Sequence, residues 1–325
     1  MKKIIFILVV LVLGIFSYTI YKEFNTNENF KDKTLCMLGT SDSCFALGLK
    51  YLEDSNKSKA NYNEAFKNFK KACDKNHSLA CNNVGFLYQN GLSTSKNITE
   101  AIKYFKKSCD SDSIIACNNL ATIYYNGADV EKDLLKAAEY FSKSCKNGDI
   151  NSCNNSALLY QNEKKYEQAV VNYNISCDKD NYFACNNLGA FYLNGVGGLN
   201  KDEKKAFSLY EKSCNGGNFV ACNNIAFLYE NGIGIAQDVK KAVEIYNIAC
   251  QNNESNACTR FGYFLQTGAY NINPDIQLSA NLYKKSCDLG NQNGCNMLQN
   301  LINLVNEAQK QQKSNEKIDN NNTKK

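Results

Sequence analysis

Cysteine spacing constrains the fold of this chain more than any other feature of its sequence. The sixteen cysteines form eight pairs, each pair separated by seven residues. The pairs are Cys36 and Cys44, Cys73 and Cys81, Cys109 and Cys117, Cys145 and Cys153, Cys177 and Cys185, Cys214 and Cys222, Cys250 and Cys258, and Cys287 and Cys295. No cysteine is left over. Successive pairs recur every 36 or 37 residues, except for one interval of 32 between Cys145 and Cys177. There "YQNEKKYEQ" replaces the glycine-bearing turn of neighbours such as "YENGIGIAQDVKK". A period of this length marks an array of small units, none of which can bury its apolar face alone.

Other positions keep step with the cysteines. Four residues after each of the first seven second cysteines stands a small residue, such as Gly48, Gly85, Ala121 or Gly189, and three further on a tyrosine, with Leu265 as the exception. Eight residues before the next first cysteine stands Ala65, Ala101, Ala137 or its equivalent, followed four later by an aromatic such as Phe69, Phe105 or Tyr246. Steps of three, four and seven are helical. Each unit therefore reads as a helical hairpin, with helix A running from the second cysteine to Asn-Gly and helix B ending at the next first cysteine. Asn-Gly tolerates the left-handed residue that ends a helix. Asp238, and Pro274 with Asp275, suit helix starts. The small residues should let the two helices approach, and the aromatics should fill the space between hairpins. The expected fold is all-α, an α-solenoid or superhelix of stacked hairpins.

In "CDSDSIIAC" the seven intervening residues form the turn between two hairpins. They should bring the cysteine Cα atoms to about 5.5–6 Å, within bridging range. Zinc is the rival use of such thiols, but structural zinc prefers cysteines two to four apart and commonly recruits histidine. The only histidine is His77, so no metal and no other cofactor is expected. Disulfides need an oxidising compartment, and the N-terminus supplies a route to one. "MKKIIFILVVLVLGIFSYTIYKEF" places two lysines before an apolar run from Ile4 to Ile20, roughly 26 Å as a helix. Residues 1–23 thus read as a signal peptide or an uncleaved signal anchor. The lack of a small-residue cleavage pattern favours the anchor, which would leave the N-terminal helix in the membrane and the rest on its periplasmic face. Cleavage would instead make the chain periplasmic or secreted. The formal net charge of +5 is too small and too dispersed for a nucleic-acid footprint.

The unit "ACNNLGAFYLNGVGGLNKDEKKAFSLYEKSC", residues 184–214, resembles a Sel1-like repeat, a relative of the tetratricopeptide repeat. With its paired cysteines it is similar to the Helicobacter cysteine-rich proteins. The likeness covers residues 30–305 and implies an α-solenoid with one disulfide per inter-repeat joint. The residues themselves read as about seven units over 37–294, a partial helix over 24–36 that covers the first, and an amphipathic helix over 295–312 that caps the last. The polar segment 313–325 reads as a disordered tail. The resemblance also implies protein or peptide binding and, because some members are described as penicillin-binding proteins or β-lactamases, hydrolysis of β-lactams. The residues support the second activity poorly. A serine enzyme of that class needs S-x-x-K with S-D-N and K-T-G, and the one match to the first motif worth naming, Ser93 and Lys96 in a turn, has neither companion.

Paired asparagines follow five of the second cysteines: Asn82 and Asn83, Asn118 and Asn119, Asn154 and Asn155, Asn186 and Asn187, Asn223 and Asn224. A helix interior has no intrinsic liking for asparagine. In peptide-holding tetratricopeptide proteins the matching position faces the concave groove. By that resemblance a ladder of amides could pair with an extended peptide or with a peptidoglycan stem. Capping of helix A is the alternative use. The expected function is an exported scaffold that binds a protein, peptide or cell-wall fragment in its groove, with β-lactam hydrolysis as the second reading.

Overall fold

The computed structural model describes residues 19–53 and 58–322, and all regular structure among them is helical. The proposed signal or anchor over 1–23 falls mostly outside the described residues; the backbone of 19–26 is helical. No described helix is long and apolar enough to cross a membrane. The helices group into two units, one ending at Lys164 and one beginning at Lys165.

The first unit opens with α1 (Glu28–Met37). The hairpin helices follow: α2 (Ser41–Glu53), α3 (Lys59–Asp74), α4 (Ser78–Asn90), α5 (Ile98–Cys109), α6 (Ile114–Asn126), α7 (Leu134–Lys146) and α8 (Ile150–Asn162). Each helix packs against the next, so the hairpins α2/α3, α4/α5 and α6/α7 stack in sequence. The second unit contains α9 (Tyr166–Asp178), α10 (Tyr182–Asn194), α11 (Glu203–Asn215), α12 (Phe219–Asn231), α13 (Val239–Gln251), α14 (Ser255–Thr267), α15 (Ile276–Asp288) and α16 (Gln292–Asn322). It stacks in the same way.

All eight expected disulfides are closed, with Cα–Cα distances of 4.6 to 4.8 Å. These joints are tighter than the sequence suggests, and the turn explains both the distance and the constant spacing. The third residue after each first cysteine has positive φ: Gly39, Asn76, Asp112, Gly148, Asp180, Gly217, Asn253 and Gly290. Only glycine, asparagine or aspartate stands there, the residues that enter the left-handed region at least cost. The next residue donates its N–H to the carbonyl just before the cysteine, as His77 does to Ala72 at 3.1 Å and Ser113 to Ser108 at 3.2 Å. That is the six-to-one bond of a Schellman helix end. At most joints the same residue also caps the following helix: His77 Nδ1 accepts from the Ala80 N–H and Ser113 Oγ from the Ala116 N–H. One left-handed residue and one cap thus reverse the chain, and the second cysteine enters the first turn of helix A eight residues on.

The small residues of helix A make room for a ring rather than for a neighbouring backbone. A Cβ on Gly48 would sit 2.5 Å from the Phe69 ring, and one on Gly85 would sit 2.8 Å from Phe105. Phe69, Phe105, Tyr173 and Tyr283 are fully buried. The helix-A tyrosines do lie between hairpins: Tyr88 meets Phe66 of the preceding hairpin edge-on at 5.1 Å, and Tyr229 meets Phe207 at 5.3 Å. Helix-A carbonyls also hold the start of helix B. Asp238 N–H donates to Tyr229 O, and Asp275 N–H to Leu265 O, both at 2.9 Å. This bond uses the backbone, so leucine at the tyrosine position leaves it intact. Asp275, not Pro274, caps α15.

Two stretches differ from expectation. In the shortened repeat, Lys164 takes the left-handed conformation (φ +57°), the region where α4, α6, α10, α12 and α14 each end on glycine. At the other end, α16 continues to Asn322, through most of the segment expected to be a disordered tail. A helix already nucleated extends at little cost through Gln, Lys and Glu, which are good helix formers.

Candidate ligand-binding clefts

The paired asparagines do not cap helix A. Those caps stand four residues before the second cysteine, at positions such as His77, Ser113, Asn181, Asn218 and Glu254. Several asparagines instead tie one repeat to the next. Asn119 Nδ2 donates to Asn82 Oδ1 at 3.0 Å, and Asn224 Nδ2 to Asn186 Oδ1 at 2.9 Å. Asn82 and Asn186 each turn their own Nδ2 toward the neighbouring Asn83 and Asn187. Elsewhere the ladder is interrupted. Asn118 Oδ1 accepts from Ser152 Oγ at 2.7 Å, and its Nδ2 donates to Asp149 at 2.7 Å. Asn187 donates to the Tyr173 hydroxyl at 3.4 Å, and Asn154 Oδ1 is buried without a partner.

Each unit carries a cleft where these amides meet aromatic rings. In the first unit a cleft of about 480 Å³ is lined by Tyr125, Lys132, Phe141, Asn155 and Leu158 among others. In the second, one of about 690 Å³ is lined by Asn223, Asn224, Phe227, Arg260 and Tyr263 with their neighbours. Of the ten asparagines singled out, Asn155, Asn223 and Asn224 therefore reach a cleft. Asn155 is exposed.

The structure does not join Ser93 and Lys96. Ser93 Oγ is buried without a hydrogen-bond partner, and Lys96 Nζ is held by Asp129 at 2.6 Å. A serine nucleophile needs its base within hydrogen-bond reach. All sixteen cysteines are in disulfides, so no thiol remains for zinc.

The model of the Sel1 repeat matches residues 41–77, 78–113, 114–149, 183–218, 220–254 and 255–291. The chain belongs to the Sel1 repeat family. The stretch left unmatched between the third and fourth of these Sel1 repeats is the shortened one. Among solved structures, a protective antigen of uropathogenic Escherichia coli displaying an SLR fold aligns with a TM-score of 0.61 at 23% identity, covering 83% of this chain and 58% of that one. The chain therefore spans less than two thirds of that protein. A Sel1 repeat protein from Oxalobacter formigenes aligns with a TM-score of 0.70 at 20% identity, covering 82% of this chain and 78% of that one. Helicobacter pylori cysteine rich protein B is 29% identical over 41% of this chain and 97% of its own, with a TM-score of 0.33. No curated protein matches.

Two further links between these Sel1 repeats escape a reading of the sequence. The serine before the first cysteine reaches back one repeat, with Ser108 Oγ donating to Ser78 O at 2.7 Å and Ser286 Oγ to Ser255 O at 2.8 Å. The lysine one residue earlier donates to the first cysteine's carbonyl in the previous repeat, as Lys107 does to Cys73 and Lys285 to Cys250, both at 2.7 Å. A cation at a helix C-terminus satisfies a carbonyl that the helix leaves unpaired. The recurrent K-S-C triplet was the available signal.

Proposed function

We propose that this Sel1 repeat protein is an exported, non-catalytic scaffold that binds an extended peptide segment in the clefts of its units. Its eight closed disulfides support a working place outside the reducing cytoplasm. The observation that carries the binding reading is the state of Asn155 and Asn223. Both line clefts beside aromatic rings, and neither carboxamide is among the inter-repeat bonds that Asn119 and Asn224 make. A carboxamide offers one acceptor and two donors, the complement of a peptide backbone, and the rings give side chains an apolar seat. The same chemistry suits a protein segment or a peptidoglycan stem peptide.

Panning the oxidised protein against a random hexapeptide library tests this, with a muropeptide stem assayed in parallel. Asn155→Ala and Asn223→Ala should weaken the selected peptides while leaving the melting curve in place. Asn119→Ala is unsuitable, since it breaks a rung of the fold. Unchanged peptide affinity in both variants would refute the groove reading.

A further inference from the structure

Arg260 is the only arginine among 37 basic residues. It occupies the ladder position of its repeat, directly after Cys258-Thr259, where five other repeats carry asparagine. Its partner is Glu230 at the end of α12, a carboxylate only 6% exposed. Arg260 Nε donates to Glu230 Oε2 at 2.9 Å, and Nη2 donates to Glu230 Oε1. The Tyr246 hydroxyl also donates to Glu230 Oε2, at 2.9 Å. The guanidinium lies over the Tyr263 ring at 4.9 Å and the Phe264 ring at 5.4 Å. It is thus fixed from below by a buried carboxylate and from the side by two rings.

One edge of the guanidinium is left over. Arginine carries five N–H donors, and two of them are spent on Glu230. Nη1 and the second Nη2 proton are not spent on Glu230, the Tyr246 hydroxyl is the guanidinium's other polar neighbour, the side chain is 41% exposed, and the residue lines the second unit's cleft. The replacement has a second effect. Were Arg260 an asparagine, the ladder geometry of Asn119 with Asn82 and Asn224 with Asn186 would tie it to Asn223. Arg260 turns to Glu230 instead, and Asn223 faces the same cleft unclaimed. Among the described residues, no other charged side chain lines that cleft.

We infer that Arg260 is a carboxylate-binding subsite of the second cleft, taking one carboxylate of a peptide on its Nη1–Nη2 edge. The inference rests on the groove reading above and names the anchor within it. Bidentate Arg–carboxylate pairing matches a planar fork held in place before the ligand arrives. A monoanion is the fitting charge. Glu230 already neutralises the guanidinium, so a phosphate dianion would enter without compensation, whereas a carboxylate adds one charge opposite a free donor edge. The source is either a free peptide C-terminus or an Asp or Glu side chain.

The uniqueness of Arg260 supplies its own reporter, because a 15N-labelled sample yields a single arginine Nε–H resonance. The oxidised protein is titrated with N-acetyl-dialanine as free acid, with its carboxamide, and with N-acetyl-aspartyl-alanine amide, which carries only a side-chain carboxylate. A saturable shift with either acid and none with the carboxamide is expected, and the acid that binds identifies the source. Charged hydrogen bonds of this kind should make amidation cost roughly tenfold or more in affinity. Arg260→Lys keeps the charge but loses the fork, and should weaken binding comparably. Because that variant disturbs a buried carboxylate, the Glu230→Gln/Arg260→Gln pair is measured beside it, with circular dichroism as the folding check. Equal shifts with acid and carboxamide, or no saturation at millimolar acid, would overturn the subsite. Library hexapeptides that bind the paired variant as well as the parent would overturn it too, while sparing the groove. Conversely, a saturable acid shift with no library peptide selected would refute the groove and keep the subsite.

Discussion

Removal of one internal disulfide tests why the joints are built as they are. Cys109→Ala/Cys117→Ala opens the α5–α6 joint, both cysteines of which are fully buried. The bridge closes a loop with a sequence separation of 8. The chain-entropy relation for about nine residues gives about 8.7 cal/mol/K, or about 2.6 kcal/mol at 25 °C. The Schellman turn and its cap remain in the folded state, so this loss should arise in the unfolded chain rather than from broken contacts. Equilibrium urea unfolding of the oxidised protein should show a lower midpoint and a slope no smaller than the parent's, since the freed chain exposes at least as much surface. The same replacement at Cys214 and Cys222 closes a loop of identical length, with a Cα–Cα distance of 4.7 Å against 4.8 Å. It should therefore cost the same within about 1 kcal/mol. A cost below about 1 kcal/mol at either joint, or a larger disparity between them, would refute the entropic account and place the stabilisation in native packing.

Three shorter predictions follow from other positions. Lys164→Gly should stabilise the chain by roughly 1 kcal/mol by relieving a left-handed non-glycine residue, read as a higher urea midpoint; a loss would mean that its side chain, not its backbone, matters there. Burial pushes the Asp149 carboxyl up, but hydrogen bonds from Ser152 and Asn118 outweigh it and hold the pKa below the usual 3.8. A depressed folded pKa stabilises above the unfolded value and is lost as pH falls through the folded one, so the parent should lose stability below about pH 4 and Asp149→Asn should show a flatter acid limb. Chromogenic β-lactam turnover should be absent or identical in the parent and Ser93→Ala, and saturable turnover abolished by that change would restore the serine to a catalytic role.

What could be read from the sequence depends on how far apart the interacting residues lie. The joint was legible because all its determinants fall within nine residues: two cysteines, a left-handed residue and a cap. Even so, nothing in the sequence alone singles out the recurring Gly, Asn or Asp at the third position or the acceptor at the fourth. They look like ordinary turn composition until their φ values are known. The helix-A glycines were legible as close-approach sites, but not as seats for Phe69 or Phe105, since the ring comes from the other helix of the hairpin.

The asparagines show where such reading fails. A cap and a groove face are both local interpretations, and each treats the amide as answerable within its own helix or to a ligand. The structure uses a third option: Asn119 answers Asn82 across 37 residues and Asn224 answers Asn186 across 38. Identical sequence therefore has unequal consequences, because each rung depends on what the preceding repeat offers. Where Ser152 claims Asn118, Asn155 is released; where Arg260 turns to Glu230, Asn223 is released. On the proposed reading, the binding positions are the ones at which the periodic bonding lapses, Asn155 and Asn223 among them. Arg260 breaks the ladder in the same way, and the carboxylate subsite proposed for it puts that reading to the test.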